Sequence, residues 1–147
     1  MEARDGIGLK ITDDTLWVLD QTGLPHAEQW LAINDAGAMI EAIRGLKVRG
    51  APMIGVAAAL FLATRAAAGA DADTLANELA RLRAARPTAV NLMFAMDRLS
   101  AALTRNGPSG LIATAESLAD RDVMLCEAIA DHGAALIGDG EQIMTHC

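Results

Sequence analysis

Cysteine is scarce in this sequence: of 147 residues only Cys126 and Cys147 carry a thiol, and their separation matches neither a zinc-ligand spacing nor a disulfide framework. No metal site is therefore expected, and a reduced, cytoplasmic setting is the default. Positive charge is also in short supply. Lys and Arg number 12 against 19 Asp and Glu, a net charge of -7, which argues against a nucleic-acid surface or an anionic membrane as partner. Long hydrophobic runs are missing too. The most apolar stretch, residues 51–63, ends at Thr64 and Arg65, well short of the roughly 20 residues that cross a bilayer. No basic segment followed by an apolar one opens the chain, so no secretory signal is expected. What is present is a chain of one ordinary domain's size with 52% hydrophobic residues, ample for a core. Any anion held by so acidic a protein must be held locally.

One stretch supplies a local site. Val48-Arg49-Gly50-Ala51-Pro52-Met53-Ile54-Gly55 joins a cation, a glycine and a helix-starting proline to the apolar run. Pro52 suits the first helical position, where its fixed φ is already helical and its missing N–H costs nothing. A helix starting there aims its free N–H groups and the positive end of its dipole at the Arg49-Gly50-Ala51 turn. Gly50 lets a ligand approach the main chain, and Arg49 offers a fork of donors matched to phosphate oxygens. These features describe an anion site at a helix N-terminus, with phosphate the leading anion. The alternative is a tight turn in which Arg49 pairs with a carboxylate. The helix itself is apolar on nearly every face and should be buried all round.

The surrounding pattern is α+β. Residues 8–12 and 15–19 read as a hairpin about Asp13-Asp14, and residues 27–33 as a third strand after a Gly- and Pro-containing break in which His26 is a surface residue. Asn34 or Asp35 caps a helix to about Arg44, with Met39, Ala42, Ile43 and Leu46 on its apolar side. Asp71 or Asp73 caps another carrying Leu75, Leu79 and Leu82, with Glu78, Arg81 and Arg83 on its solvated face. A second loop-to-helix junction, Arg86-Pro87-Thr88-Ala89-Val90-Asn91-Leu92, has Thr88 as its candidate cap and again sets an arginine outside a helix start. Asn106-Gly107-Pro108-Ser109-Gly110 is a breaker. Residues 111–135 are helical again, with Leu118, Leu125 and Ile129 as the buried side, Cys126 an inert small hydrophobe, and His132 a partner for the helix dipole. Gly138-Asp139-Gly140 turns into a candidate strand at 142–147. A lone strand leaves backbone groups unpaired, so residues 1–137 read as an N-terminal α+β domain and 138–147 as the first strand of a second, α/β domain that further polypeptide is expected to complete.

Four motifs in order carry a resemblance: Leu19-Asp20-Gln21-Thr22-Gly23-Leu24-Pro25, the Arg49 stretch, the Arg86 stretch and Thr145-His146-Cys147. Together they resemble the methylthioribose-1-phosphate isomerases, a family grouped with the regulatory subunits of translation initiation factor 2B. The resemblance implies a small N-terminal domain of antiparallel strands and helices followed by a Rossmann-like domain. It also implies a cofactor-free aldose–ketose isomerisation of a sugar 1-phosphate in methionine salvage, and a homodimer when complete. By the same likeness Arg49, Gly50, Ala51 and Arg86 are substrate-binding and Cys147 is the catalytic acid or base. His146, its neighbour on a strand, points to the opposite face and is assigned a supporting role. Family chains continue beyond the cysteine motif, so the 147 residues alone are expected to be inactive. Two other readings stay open: a regulatory or scaffold subunit of the initiation-factor type, and an isomerase of another sugar 1-phosphate such as ribose 1,5-bisphosphate or a 5-deoxyribose phosphate.

Overall fold

The computed structural model describes residues 3–6 and 8–145. Four strands form an antiparallel meander in the order β1 (Arg4–Asp5), β2 (Leu9–Thr12), β3 (Thr15–Leu19) and β4 (Trp30–Ile33). The β2–β3 turn is the two-residue Asp13-Asp14 loop, with φ of 50° and 56°. Both residues are left-handed, as a two-residue hairpin turn matched to the strand twist requires. Alternation along the strands sets Ile11, Leu16 and Ile33 opposite one another across β2, β3 and β4, and all three are buried against the helices. The strand expected at 27–33 is confined to β4, Trp30–Ile33, and residues 20–29 form a loop that contains a cis Leu24–Pro25 bond. The two-residue β1 was not expected. It is defined by its pairing of Arg4 with Ile11 and of Asp5 with Lys10, which no local pattern announces.

Helix α1 (Ala36–Arg44) is capped by Asp35, whose Oδ1 accepts from the Ala38 N–H at 2.9 Å. Leu46, expected on its apolar side, lies past the helix end with φ 57° and is exposed. Helix α2 (Ala51–Ala67) is the centre of the core: every residue from Ile54 to Ala66 except Val56 and Arg65 is buried, Phe61 and Leu62 completely. Burial of each such large side chain contributes roughly 1.5–3 kcal/mol. The helix begins one residue earlier than read, so Pro52 is its second residue.

Helix α3 (Ala72–Arg83) is capped by Asp71 through the Thr74 N–H at 2.7 Å. Its Glu78 is a correction: it is buried, and Arg65 Nε donates to its Oε1 at 3.1 Å. Arg83, by contrast, is exposed and bonds Asp97 in two places. Helix α4 (Val90–Ala134) packs along α2 and α3. The expected breaker survives as a single non-helical residue, Gly107 at φ 67° and ψ -163°, between two helical segments. Before it, Leu92, Met96 and Leu99 are buried; after it, Leu111, Ala115 and Ala119 are. Beyond Ala119 the helix leaves the core. Leu125 and Ile129 were expected to be buried, but they are 51% and 70% exposed, Leu118 is only half-buried and Cys126 is exposed.

The fold is thus α+β, a meander on one side of a mostly helical body. Residues 142–145 form no strand; a strand needs a neighbouring ladder, and no described residue supplies one there. His146 and Cys147 lie outside the described residues. Among the described residues no helix is long and apolar enough to cross a membrane, and no group of three His, Cys, Asp or Glu side chains is placed to hold a metal ion.

Candidate functional site

The Arg49 turn and the Arg86 turn meet. Arg49, Gly50 and Ala51 line one wall of a cleft of about 410 Å³, and Arg86, Thr88, Ala89, Val90 and Asn91 line the other. Two helices that start at the same end of the core bring them together. Gly55 makes this approach possible: a Cβ placed there would lie 2.7 Å from the Asn91 carbonyl oxygen and 3.3 Å from Ala95 Cβ. Any larger residue would hold α2 away from the start of α4.

Both helix beginnings are left without a side-chain cap. At α2 the cap position is Gly50, with φ 96° and ψ 125° and no side-chain hydrogen bond. At α4 it is Ala89, equally without one, and the expected cap Thr88 stands outside on the cleft wall. Uncapped N–H groups and the positive ends of two helix dipoles therefore converge on the same space.

Each arginine is braced from behind. Val48 is buried and anchors the turn, and Arg49 Nε donates to the Leu46 carbonyl at 3.2 Å. Among the described residues neither Arg49 nor Arg86 has a carboxylate within ion-pair distance, which removes the alternative of a merely structural pair at Arg49. The Arg86 loop is held to α1 by Arg44, whose Nε donates to the Ala85 carbonyl at 3.1 Å. Behind the Arg49 turn sits the loop that begins at Asp20. The Gln21 N–H donates to the Lys47 carbonyl at 3.0 Å, and the Asp20 carboxylate accepts from the Thr22 hydroxyl and N–H at 2.6 and 3.0 Å. Those bonds hold the Asp20 carboxyl below its usual range, and the charges of Lys47 and Arg49 act in the same direction.

Of the site residues expected from sequence, Arg49, Gly50, Ala51 and Arg86 are brought together, and Cys147 lies outside the described residues. Leu46 and Ile54 complete the lining and were not anticipated. Neither carries a functional group, and Leu46 was assigned to the α1 face on periodicity. Gly55 could have been found from its place in the Arg49 stretch, since a glycine inside an otherwise apolar helix marks a close approach.

Comparison with known proteins gives the family of the chain. Residues 47–147 match the model of the initiation factor 2 subunit family, and the chain belongs to that family. It is similar to the methylthioribose-1-phosphate isomerase of Klebsiella pneumoniae (strain 342), at 43% identity over all of this chain and 43% of that protein. It is also similar to the isomerase of the same name from Yersinia pestis (strain Pestoides F), at 46% identity over 95% of this chain and 40% of that one. The chain thus spans less than half the length of these curated relatives. Among solved structures it superimposes on 5-methylthioribose 1-phosphate isomerase from Pyrococcus horikoshii OT3 with a TM-score of 0.74, at 26% identity over 82% of this chain and 38% of that one. It matches the delta subunit of translation initiation factor eIF-2B from A. fulgidus with a TM-score of 0.75, at 32% identity over 91% and 42%.

Proposed function

We propose that this chain is the phosphate-binding N-terminal part of a methylthioribose-1-phosphate isomerase, converting 5-methylthioribose 1-phosphate to 5-methylthioribulose 1-phosphate in methionine salvage, in the cytoplasm and without a cofactor. The observation that carries the reading is the cleft itself. Two arginines that, among the described residues, have no carboxylate partner and two helix beginnings without a side-chain cap face one space in a protein of net charge -7. A site so biased toward a dianion suits the phosphoryl group of a sugar 1-phosphate. The relatives named for that reaction supply the substrate class.

In this reading Arg49 and Arg86 clamp the phosphate by charge-assisted hydrogen bonds, and the N–H groups at Gly50 and Ala51 complete the clamp. A phosphate on C1 blocks ring opening as a free aldose, so the enzyme must move a proton between C1 and C2 of a substrate held rigidly at its anionic end. Cys147 is the residue we assign to that proton transfer. A thiol with an ordinary pKa of about 8.5 serves near neutrality once its surroundings lower it. The remaining groups come from a second domain beginning near residue 138, which belongs to the proposal, as does a homodimer of the complete protein. The exposed Val123, Met124, Leu125 and Ile129 at the end of α4 support further polypeptide packing there.

Titration of inorganic phosphate into the 147-residue chain tests the clamp. Arg49→Ala and Arg86→Ala should each weaken binding about tenfold or more, the value of one lost charge-assisted bond. Unchanged affinity in both variants defeats the reading. The chain alone should form no ketose from 5-methylthioribose 1-phosphate, whereas the longer protein should. A regulatory subunit is the second reading, favoured by the likeness to the A. fulgidus delta subunit; it predicts no turnover from the longer protein.

A further inference from the structure

Donors dominate the walls of the cleft. Arg49 and Arg86 bring guanidinium groups, and the two helix beginnings bring main-chain N–H groups. Apart from aliphatic side chains and Gly50, the rest of the lining is Thr88 and Asn91, the two residues there whose side chains can accept a hydrogen bond. Neither is spent on finishing its helix. Thr and Asn are residues that cap a helix start, and α1 and α3 are capped in that way by Asp35 and Asp71. At α4 the cap position holds Ala89, so Thr88 stands one residue too early and Asn91 two residues too late. Among the described residues neither side chain has a hydrogen-bond partner. Asn91 is the more firmly placed of the two. Its carbonyl lies so close to Gly55 that a Cβ there would come within 2.7 Å, which fixes its main chain, while the residue itself stays exposed.

We propose that Asn91 binds the sugar hydroxyl next to the phosphorylated carbon, and so determines specificity for a sugar 1-phosphate over bare phosphate and over a 2-deoxy sugar phosphate. The inference rests on the sugar-phosphate reading of the cleft. A phosphoryl dianion presents acceptor oxygens alone, so arginines and N–H groups suffice for it and a side-chain acceptor has nothing to receive from it. A hydroxyl donates and accepts, and the carboxamide of Asn91 does the same: Oδ1 takes the hydroxyl hydrogen while Nδ2 donates to an oxygen of the ligand. With the phosphate on the helix beginnings, the 2-hydroxyl is only a few bonds away from it and falls within the reach of a short side chain on the same wall. This hydroxyl is also the one that becomes the ketose carbonyl. A carboxamide does not titrate, so Asn91 orients the reacting carbon without taking its proton. Its fixed main chain makes that orientation preorganised.

Calorimetric titration of the 147-residue chain with inorganic phosphate, ribose 1-phosphate and 2-deoxyribose 1-phosphate separates this proposal from the one beneath it. The wild type should bind ribose 1-phosphate about tenfold more tightly than the 2-deoxy compound, the scale of one hydrogen bond whose loss leaves a polar group unpaired. Asn91→Leu removes donor and acceptor at similar size. It should abolish that preference and leave inorganic phosphate and 2-deoxyribose 1-phosphate at wild-type affinity, which also reports that the variant is folded. A preference that survives Asn91→Leu, or that the wild type lacks although it binds phosphate, overturns the role of Asn91 and spares the clamp. Inorganic phosphate weakened as much as ribose 1-phosphate would make Asn91 a member of the clamp and overturn its hydroxyl role. No binding of any of the three by the wild type overturns both.

Discussion

Gly55 and Asn91 touch backbone to backbone: a Cβ on the glycine would sit 2.7 Å from the asparagine's carbonyl oxygen, closer than such atoms approach. The contact fixes how near the two helix beginnings come, and hence the width of the cleft that Arg49 and Arg86 share. Because the neighbour is main chain, it cannot swing aside, and Gly55→Ala must push α2 and α4 apart. Overpacking of this kind costs about 1–3 kcal/mol. The variant should lose that much stability in urea unfolding and should bind phosphate more weakly than the wild type. Unaltered phosphate affinity would separate the helix contact from the site.

Arg44 carries the Arg86 loop without entering the cleft. Its Nε bond to the Ala85 carbonyl joins α1 to the residue just before Arg86. Arg44→Met removes the donor and keeps much of the aliphatic stem, so it should weaken phosphate binding by a few-fold, less than Arg86→Ala, with little change in melting temperature. The net value of one such hydrogen bond, about 1 kcal/mol, sets that scale. An effect as large as that of Arg86→Ala would mean Arg44 touches the ligand itself.

Glu78 is the buried charge that sequence periodicity put on the wrong side of α3. The residue is 8% exposed and Arg65, from α2, meets its carboxylate at 3.1 Å. Arg65→Met leaves an acid enclosed without its cation. Because Arg65 is itself about one-third exposed, the loss falls below that of a fully buried pair, at about 2 kcal/mol. Adding Glu78→Gln to the variant should restore part of it, measured by a double-mutant cycle. Additive losses would show that the pair is not coupled.

These cases mark how far the sequence could be read. The β2–β3 hairpin was legible because alternation and a two-residue Asp-Asp turn are local signals. α2 was legible because a helix apolar on every side has only one place to go. The cleft was legible because Arg-Gly-Ala-Pro and Arg-Pro-Thr each describe a cation before a helix start. What escaped depends on partners. β1 exists only through its ladder with β2, and Glu78 is buried only because Arg65 reaches it from another helix. Leu125 and Ile129 keep a helical period that predicts an apolar face, but a period says nothing of whether anything covers that face. Residues 142–145 form no strand, since no described residue offers them a ladder.

Acid should loosen this fold through a few identifiable carboxyls. Thr22 holds Asp20 below its usual range, the Thr74 N–H does so for Asp71 at the start of α3, and Arg83 for Asp97. A carboxyl whose folded pKa lies below its unfolded value of about 3.9 stabilises the native state at any pH above that value. The contribution is lost as pH falls through the folded pKa, so the window opens below about pH 4. Asp71→Asn isolates one share, because asparagine still caps the helix but does not titrate. The variant should melt somewhat below the wild type at pH 7, and the gap should narrow as pH falls below about 4 and Asp71 takes up its proton. A gap that stays constant from pH 7 to pH 2 would show that the charge of Asp71 is not what stabilises the start of α3.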